Sequence, residues 1–229
     1  MNEGIADFHT HTFLSDGVLS PCELIRTGVA CGYGQIALTD HVGAGSMERV
    51  LKELKADCQL AAKAWGIKTW VGVELTHVPA QAVPFLAAQA KSLGADLVLV
   101  HGETITEPVE TGTNRAAVSC PDVDILAHPG LITPEETRLA AENGVFLEIS
   151  ARRGHAYANG HVARMAREAG AELIINSDSH EPRDLLTAEF RRQVGIGAGL
   201  SATELEKVLA EAPRKLCWKL EGRKKANYV

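Results

Sequence analysis

The chain reads as an α/β protein whose parallel strands close into a barrel, and three observations lead there. Short apolar runs of strand length alternate with helical segments along the 229 residues. Strict alternation implies parallel strands joined by helical crossovers. Nearly every apolar run also ends on a histidine or a carboxylate: His9 and His11, His41, Glu74, His101, His128, then Asp178 and His180. In an open sheet such residues converge mainly at a switch point, whereas in a barrel every strand's C-terminal end faces one central site. The series therefore favours closure.

The elements follow in order. Residues 5–10 form the first strand. Ser20-Pro21-Cys22-Glu23 opens a helix, with Ser20 as cap, Pro21 in the first turn and Glu23 completing a capping box. Gly32 and Gly34 close that helix, and 35–39 is the second strand. A long helix over about 46–65 ends at Gly66 and leads to a strand over 68–74. Residues 79–93 are helical up to Gly94, and 97–100 is the fourth strand. The stretch 102–119 is the least regular and reads as a functional loop with a short helix over 114–118. Residues 124–127 are the fifth strand. Thr133-Pro134-Glu135-Glu136 repeats the capping box before a helix ending at Asn143-Gly144. Strand 145–149, helix 160–169 and strand 172–176 follow. The remainder is read as two helices, 182–194 and 201–211, with Ser201 and Glu204 forming another capping box.

Composition limits the function classes. Hydrophobic residues make up 45% and charged residues 23%, an ordinary globular balance, and the length suits one domain over 1–229. No apolar stretch reaches bilayer length. Met1-Asn2-Glu3-Gly4 offers no basic flank or apolar leader core, which predicts no signal peptide. Five cysteines, Cys22, Cys31, Cys58, Cys120 and Cys217, are odd in number and widely spaced. They are expected to be reduced, mostly buried thiols of a cytoplasmic protein. A net charge of −6 argues against a large nucleic-acid footprint, without excluding one, because bound cations would invert the field locally. Arg223-Lys224-Lys225 is read as a solvated tail, and Trp65, Trp70 and Trp218 as packing residues. The oligomeric state is left open.

His9-Thr10-His11 sits in an extended segment, where alternation puts both imidazoles on one side. Taken singly, each strand-end histidine has a bland explanation as a hydrogen-bonded, partly buried residue. Together the bland explanation weakens. His9, His11, His41, His101, His128 and His180 are six of the nine histidines, and Asp16, Glu74 and Asp178 accompany them. So many ionisable groups at one end of a barrel would destabilise it unless cations paired with them.

In order along the chain, these residues resemble the motifs of the PHP domain, the polymerase and histidinol-phosphatase superfamily. Asp7-Phe8-His9-Thr10-His11-Thr12 with Ser15-Asp16-Gly17 looks like its first motif, and Leu38-Thr39-Asp40-His41 its second. Gly72-Val73-Glu74, Val100-His101-Gly102, Ala127-His128-Pro129-Gly130 and Ser177-Asp178-Ser179-His180 resemble the rest. The resemblance implies a distorted (βα)7 barrel holding two or three divalent ions, Zn, Mn or Fe. It also implies hydrolysis of a small phosphomonoester, histidinol-phosphatase-like, by a metal-bridging hydroxide, with no side-chain nucleophile. One ion would take His9, His11 and Asp178, and Glu74 would bridge to a second held by His101 and His128. A third would take Asp16, His41 and His180, although some relatives place a histidine near the Asp16 position.

Beside such a site, Arg152, Arg153 and Arg115 are candidates for gripping phosphate oxygens, with Arg152 favoured. The plain alternative is a solvated basic pair. His155 and His161 could donate a proton to a leaving oxygen but read as surface residues. His77 is placed just outside the ligands, Asp40 behind one, and Glu103 and Glu107 as solvated loop acids. A nuclease or nucleotide phosphoesterase is the rival within the same chemistry. An amidohydrolase-type barrel also opens with His-x-His, but it expects no Asp-x-His pair after the last strand. A metal-dependent binding or regulatory module would be expected to have lost some ligands. The partner expected is a small-molecule phosphoester, with no membrane.

Overall fold

The computed structural model describes residues 4–226. Its strands are β1 (Ile5–Asp7), β2 (Tyr33–Leu38), β3 (His41–Val42), β4 (Lys68–Leu75), β5 (Leu97–His101), β6 (Ile125–Ala127), β7 (Phe146–Ser150) and β8 (Leu173–Asn176). All pair in parallel, in the order β1-β2-β4-β5-β6-β7-β8, and β3 also pairs with β4. β3 follows β2 after two residues on the same neighbour, so the two form one interrupted stave of seven. The sheet is nearly closed. Just past the strand ends, Asp178 N–H donates to the His9 carbonyl and His11 N–H to the Ser179 carbonyl, each at 2.9 Å.

The helices are α1 (Pro21–Ala30), α2 (Met47–Trp65), α3 (Val83–Ser92), α4 (Thr113–Val118), α5 (Pro134–Asn143), α6 (Asn159–Ala169), α7 (Ala188–Gly197), α8 (Ala202–Glu206) and α9 (Ala212–Ala226). Capping boxes at Ser20, Thr133 and Ser201 form as the sequence dictates. Two helix expectations are corrected. Residues 182–194 do not form one helix: a short 3-10 turn at Pro182–Asp184 ends in extended backbone at Leu185, and Thr187 caps a fresh start at Ala188. The last helix does not stop at 211 either, because a π-turn at Lys207–Glu211 runs directly into α9.

Alternation in the strands sorts the core. One layer lies between the sheet and the helices and includes Ile36, Leu38, Val71, Val73, Val98, Val100 and Leu147. The other fills the barrel: Phe8, Trp70, Leu97, Leu99, Ile125, Phe146 and Ile174, closed below by Leu216 and Leu220 of α9. α9 thus packs where a solvated tail was expected. Arg223 ion-pairs with the buried Asp124, which also holds Lys91 Nζ at 2.6 Å and Lys219 Nζ at 3.4 Å. The side chains of Lys224 and Lys225 and the whole of residues 1–3 lie outside the described residues. Trp70 is buried as expected, but Trp218 is 80% exposed and is not a packing residue. The five cysteines form no disulfide among the described residues, and Cys58, Cys120 and Cys217 are buried. Among the described residues no helix is long and apolar enough to cross a membrane.

Candidate metal centre

The inward-facing side chains change character at the C-terminal end of the barrel. On β4, Trp70 and Gly72 give way to Glu74, and on β5, Leu97 and Leu99 give way to His101; both ligand-type side chains are buried. Glu74 is the hub. Its Oε2 lies 3.2 Å from His9 Nε2, 3.5 Å from His11 Nε2 and 2.7 Å from His41 Nδ1. Its Oε1 lies 3.3 Å from His101 Nδ1 and 3.4 Å from His128 Nε2. Asp178 faces it, with Oδ1 3.2 Å from His11 Nε2 and 3.7 Å from His9 Nε2. Asp16 lies at the rim, 55% exposed, 3.0 Å from His180 Nε2 and 3.5 Å from His41 Nε2. All nine side chains picked out at the motif positions therefore meet in one place.

Local backbone chemistry sets these positions. Asp40 accepts from the N–H and hydroxyl of Thr12 and of Ser15, folding the loop that presents Asp16. Gly17 lets that turn lie against its own strand, since a Cβ there would sit 2.4 Å from the His11 carbonyl oxygen. Gly130, at φ +60°, plays the same part after β6: a Cβ would meet the Glu103 carbonyl at 1.9 Å. Among the described residues, the non-glycine positions with positive φ are His77, His128 and Asp178. Strained backbone of this kind, costing about 1–3 kcal/mol each, gathers at functional sites.

The site fits divalent cations. His9 Nε2, His11 Nε2, His101 Nδ1 and both Glu74 oxygens are buried without a hydrogen-bond partner and face one another. Orphaned polar atoms are expensive, and these converge. Donors bound about 2.0–2.2 Å from one ion stand roughly 3–3.5 Å apart, close to the spacings above. The groupings include His9, His11 and Asp178; His11, Asp16, His41 and His180; His9, Glu74 and His128; His41, Glu74 and His101; and, at the rim, His77, His101 and Glu107. The mixed nitrogen and oxygen donors suit zinc, manganese or iron.

The electrostatics of the cluster fit the same reading. Burial would raise the Glu74 carboxyl, but His9 and His41, helped by His101 and His128, hold it well below the usual range. Burial pushes Asp178 up. His11 falls well below an ordinary imidazole, first through burial and then through His41 and His9.

Several residues stand where the sequence did not put them. Glu148, missed entirely, is fully buried in β7. Its Oε1 takes the His9 Nδ1 proton at 2.8 Å, and its Oε2 accepts from the His128 N–H at 3.1 Å. Its one signal was position: Phe146, Glu148 and Ser150 alternate inward, so an acid there points into the barrel. His155 is buried rather than a surface residue and stacks on His128, ring centres 4.0 Å apart. Glu107 is no solvated loop acid, since its Oε2 lies 3.0 Å from His101 Nε2. Glu103 caps α4 instead, accepting from Gly112 and Asn114 N–H. His77 lies 3.5 Å from Glu107, and His161 bonds the Ile132 carbonyl away from the cluster.

The three arginine candidates separate. Arg152 lines the cleft over the cluster and is 31% exposed, with Nη1 donating to the Asp178 carbonyl at 3.1 Å and to His180 Nδ1 at 2.7 Å. Arg153 is exposed and does not line that cleft. Arg115 is 56% exposed and paired with Glu135 at 2.9 Å, because α4 turns it outward, so it is not brought to the site. The cleft has a volume of about 200 Å³, and its lining includes Asp16, His77, Glu107, Arg152 and His155.

The PHP domain family matches residues 7–118. An uncharacterized protein of Methanocaldococcus jannaschii is 47% identical, over 92% of this chain and 97% of its own length. A probable phosphatase of a Thermoanaerobacter species is 29% identical, over 86% and 87% respectively. Ribonuclease P protein component 3 of Methanosarcina mazei is 26% identical, over 92% and 87%. Among solved structures, histidinol phosphate phosphatase of Lactococcus lactis, crystallised with zinc, L-histidinol and phosphate, superposes with a TM-score of 0.61 at 17% identity. That match covers 86% of this chain and 94% of that one, and it bears on the fold. With its motifs in order and its strand-end side chains gathered at one end of a parallel barrel, the chain belongs to the PHP domain family.

Proposed function

We propose that the chain hydrolyses a small phosphomonoester over this cluster, with divalent ions held by His9, His11, Asp16, His41, Glu74, His101, His128, Asp178 and His180. Zinc is the first candidate, given the zinc in the Lactococcus lactis phosphatase, with manganese and iron beside it. The observation that carries the reading is Arg152: a guanidinium beside a carboxylate-histidine cluster, in a cleft small enough for a phosphate head group. Bound ions supply an acidified water and neutralise the phosphoryl oxygens. The chain's own residues bind and orient. Arg152 offers a planar pair of donors to non-bridging phosphate oxygens. Glu148 and Asn176, joined at 2.8 Å, keep His9 aimed at Glu74. Thr104 Oγ1, 2.8 Å from His155 Nδ1, turns that ring's Nε2 into the cleft.

A nucleotide or RNA phosphoester is the second reading, favoured by the ribonuclease P relative and opposed by the net charge of −6. A panel of phosphomonoester metabolites and short oligoribonucleotides, assayed for phosphate release and strand cleavage with Mn, Zn, Fe, Co and Mg each supplied, separates the two. Release from a monoester with intact oligonucleotides supports the first reading; cleavage of oligonucleotides alone overturns it.

A further inference from the structure

The loop after β5 carries a carboxylate outside the nine ligand positions, yet close against one of them. Glu107 Oε2 lies 3.0 Å from His101 Nε2 and 3.5 Å from His77 Nε2, and its Oε1 lies 3.5 Å from His155 Nε2. The opposite nitrogen of His101, Nδ1, faces Glu74 Oε1 at 3.3 Å. The His101 ring is thus held edge to edge between two carboxylates. His9 is held the same way, with Nδ1 2.8 Å from Glu148 and Nε2 3.2 Å from Glu74. A neutral imidazole gives one nitrogen to a cation, and the other carries a proton that needs an acceptor.

We propose that Glu107 is a positioning residue of the metal centre: it accepts the His101 Nε2 proton and thereby aims Nδ1 at the Glu74 side of the cluster. The inference rests on the metal-hydrolase reading above. It also separates the two histidines. Glu148 is fully buried in a central strand, whereas Glu107 is 38% exposed on the loop between Gly102 and Gly112. That loop is pinned near its ends, where Glu103 accepts from Gly112 N–H and Glu110 from Ala80 N–H. Near Glu107 itself, His155 is the buried counterpart, held by Thr104 and Thr106. The ion that uses His101 is therefore the one whose retention depends on a loop contact, and it exchanges first.

The test compares metal-loaded wild type, Glu107→Ala and Glu107→Gln under excess chelator, following the metal left on the protein over time by elemental analysis. Glu107→Ala should release one ion per chain ~10–100-fold faster, the usual cost of removing such an acceptor, while the others leave at the wild-type rate. Glu107→Gln keeps an acceptor oxygen and should stay close to wild type. Equal release from all three proteins overturns the role of Glu107. If both variants fail to reload that ion at all, Glu107 is a direct ligand and the positioning role is wrong. A wild type that takes up no divalent ion overturns the metal reading itself, which distinguishes the two failures.

Discussion

His9 Nδ1 lies 2.8 Å from Glu148 Oε1, both side chains wholly buried, while the same ring's Nε2 faces Glu74 at 3.2 Å. The pair joins the barrel core to the metal cluster, because Glu148 also accepts from the His128 N–H and from Asn176. Burial would raise its carboxyl, but the His9 charge and hydrogen bond hold it low, so it is ionised and accepts. Both Glu148 oxygens accept, so Glu148→Gln must turn an NH2 against a donor and should weaken metal binding about 10–100-fold in competitive titration, with activity falling in step. Wild-type affinity in that variant would mean that His9 needs no fixed tautomer.

Glu74→Ala removes the hub that touches five histidines and should lower metal content and abolish turnover. His77→Ala removes a partly exposed ring that sits beside Glu107 Oε2 and the His101 ring but does not reach Glu74, and should leave partial activity. Metal analysis and kinetics on both variants check this; equal losses would mean that His77 binds an ion directly.

Arg152→Ala should lower kcat/KM about ten- to a hundredfold, the worth of a charge-assisted contact of ~1.5–3 kcal/mol. Metal content should stay intact, since a guanidinium never binds cations. Steady-state kinetics on a confirmed phosphoester, with metal analysis of the same preparation, is the check. Unchanged kinetics would remove Arg152 from the site.

Metal uptake should release protons. In the metal-free chain, burial would lower His101, but its contacts with Glu107 and Glu74 push it up to about 10; His9 is also raised, by Glu148, Glu74 and Asp178 against burial. Those protons leave before a cation binds, so affinity rises with pH. The same shift makes metal-free stability pH-dependent. A folded value above the ordinary ~6.5 stabilises fully below that pH, and the contribution is lost as pH rises through about 10. Calorimetry in buffers of different ionisation enthalpy measures the released protons; a pH-independent affinity would contradict the assignment.

At the opposite end of the barrel, Asp124 holds Lys91, Lys219 and Arg223 together. Burial opposes its charge, but Lys91, Lys219 and Arg223 keep the carboxyl below its usual range. A depressed carboxyl gives stability that is present above ~3.9 and lost as pH falls through its lower folded value. Asp124→Asn takes the shared partner from three partly exposed cations and should cost about 1–2 kcal/mol at neutral pH, read as a lower denaturation midpoint. An unchanged midpoint would mean that water already screens the cluster.

Convergence at the metal centre was legible because most motif residues end an apolar run, so one rule about barrel strand ends gathers Glu74, His101, His128 and Asp178 without knowledge of any contact. Glu148 was hidden for the opposite reason: it sits inside a run, Phe146 to Ser150, that reads as a buried strand. Glu107 and His155 were misjudged because irregular loops carry no periodicity from which direction can be read. Arg115 was misplaced because nothing in the sequence says which way the short α4 turns it. The helix break at Leu185 was missed since Thr187 caps a start that residues 182–194 could equally have continued through, and the reach of α9 because its apolar face completes a barrel floor built from distant strands.

The central claim is that nine side chains from separate loops and strands exist to hold cations. Elemental analysis of the protein purified without chelator, beside Glu74→Ala prepared identically, tests it most directly. Two or three divalent transition ions per chain are predicted for the wild type, with clearly fewer in the variant. A wild-type protein that carries no metal and takes up none on reconstitution would contradict it.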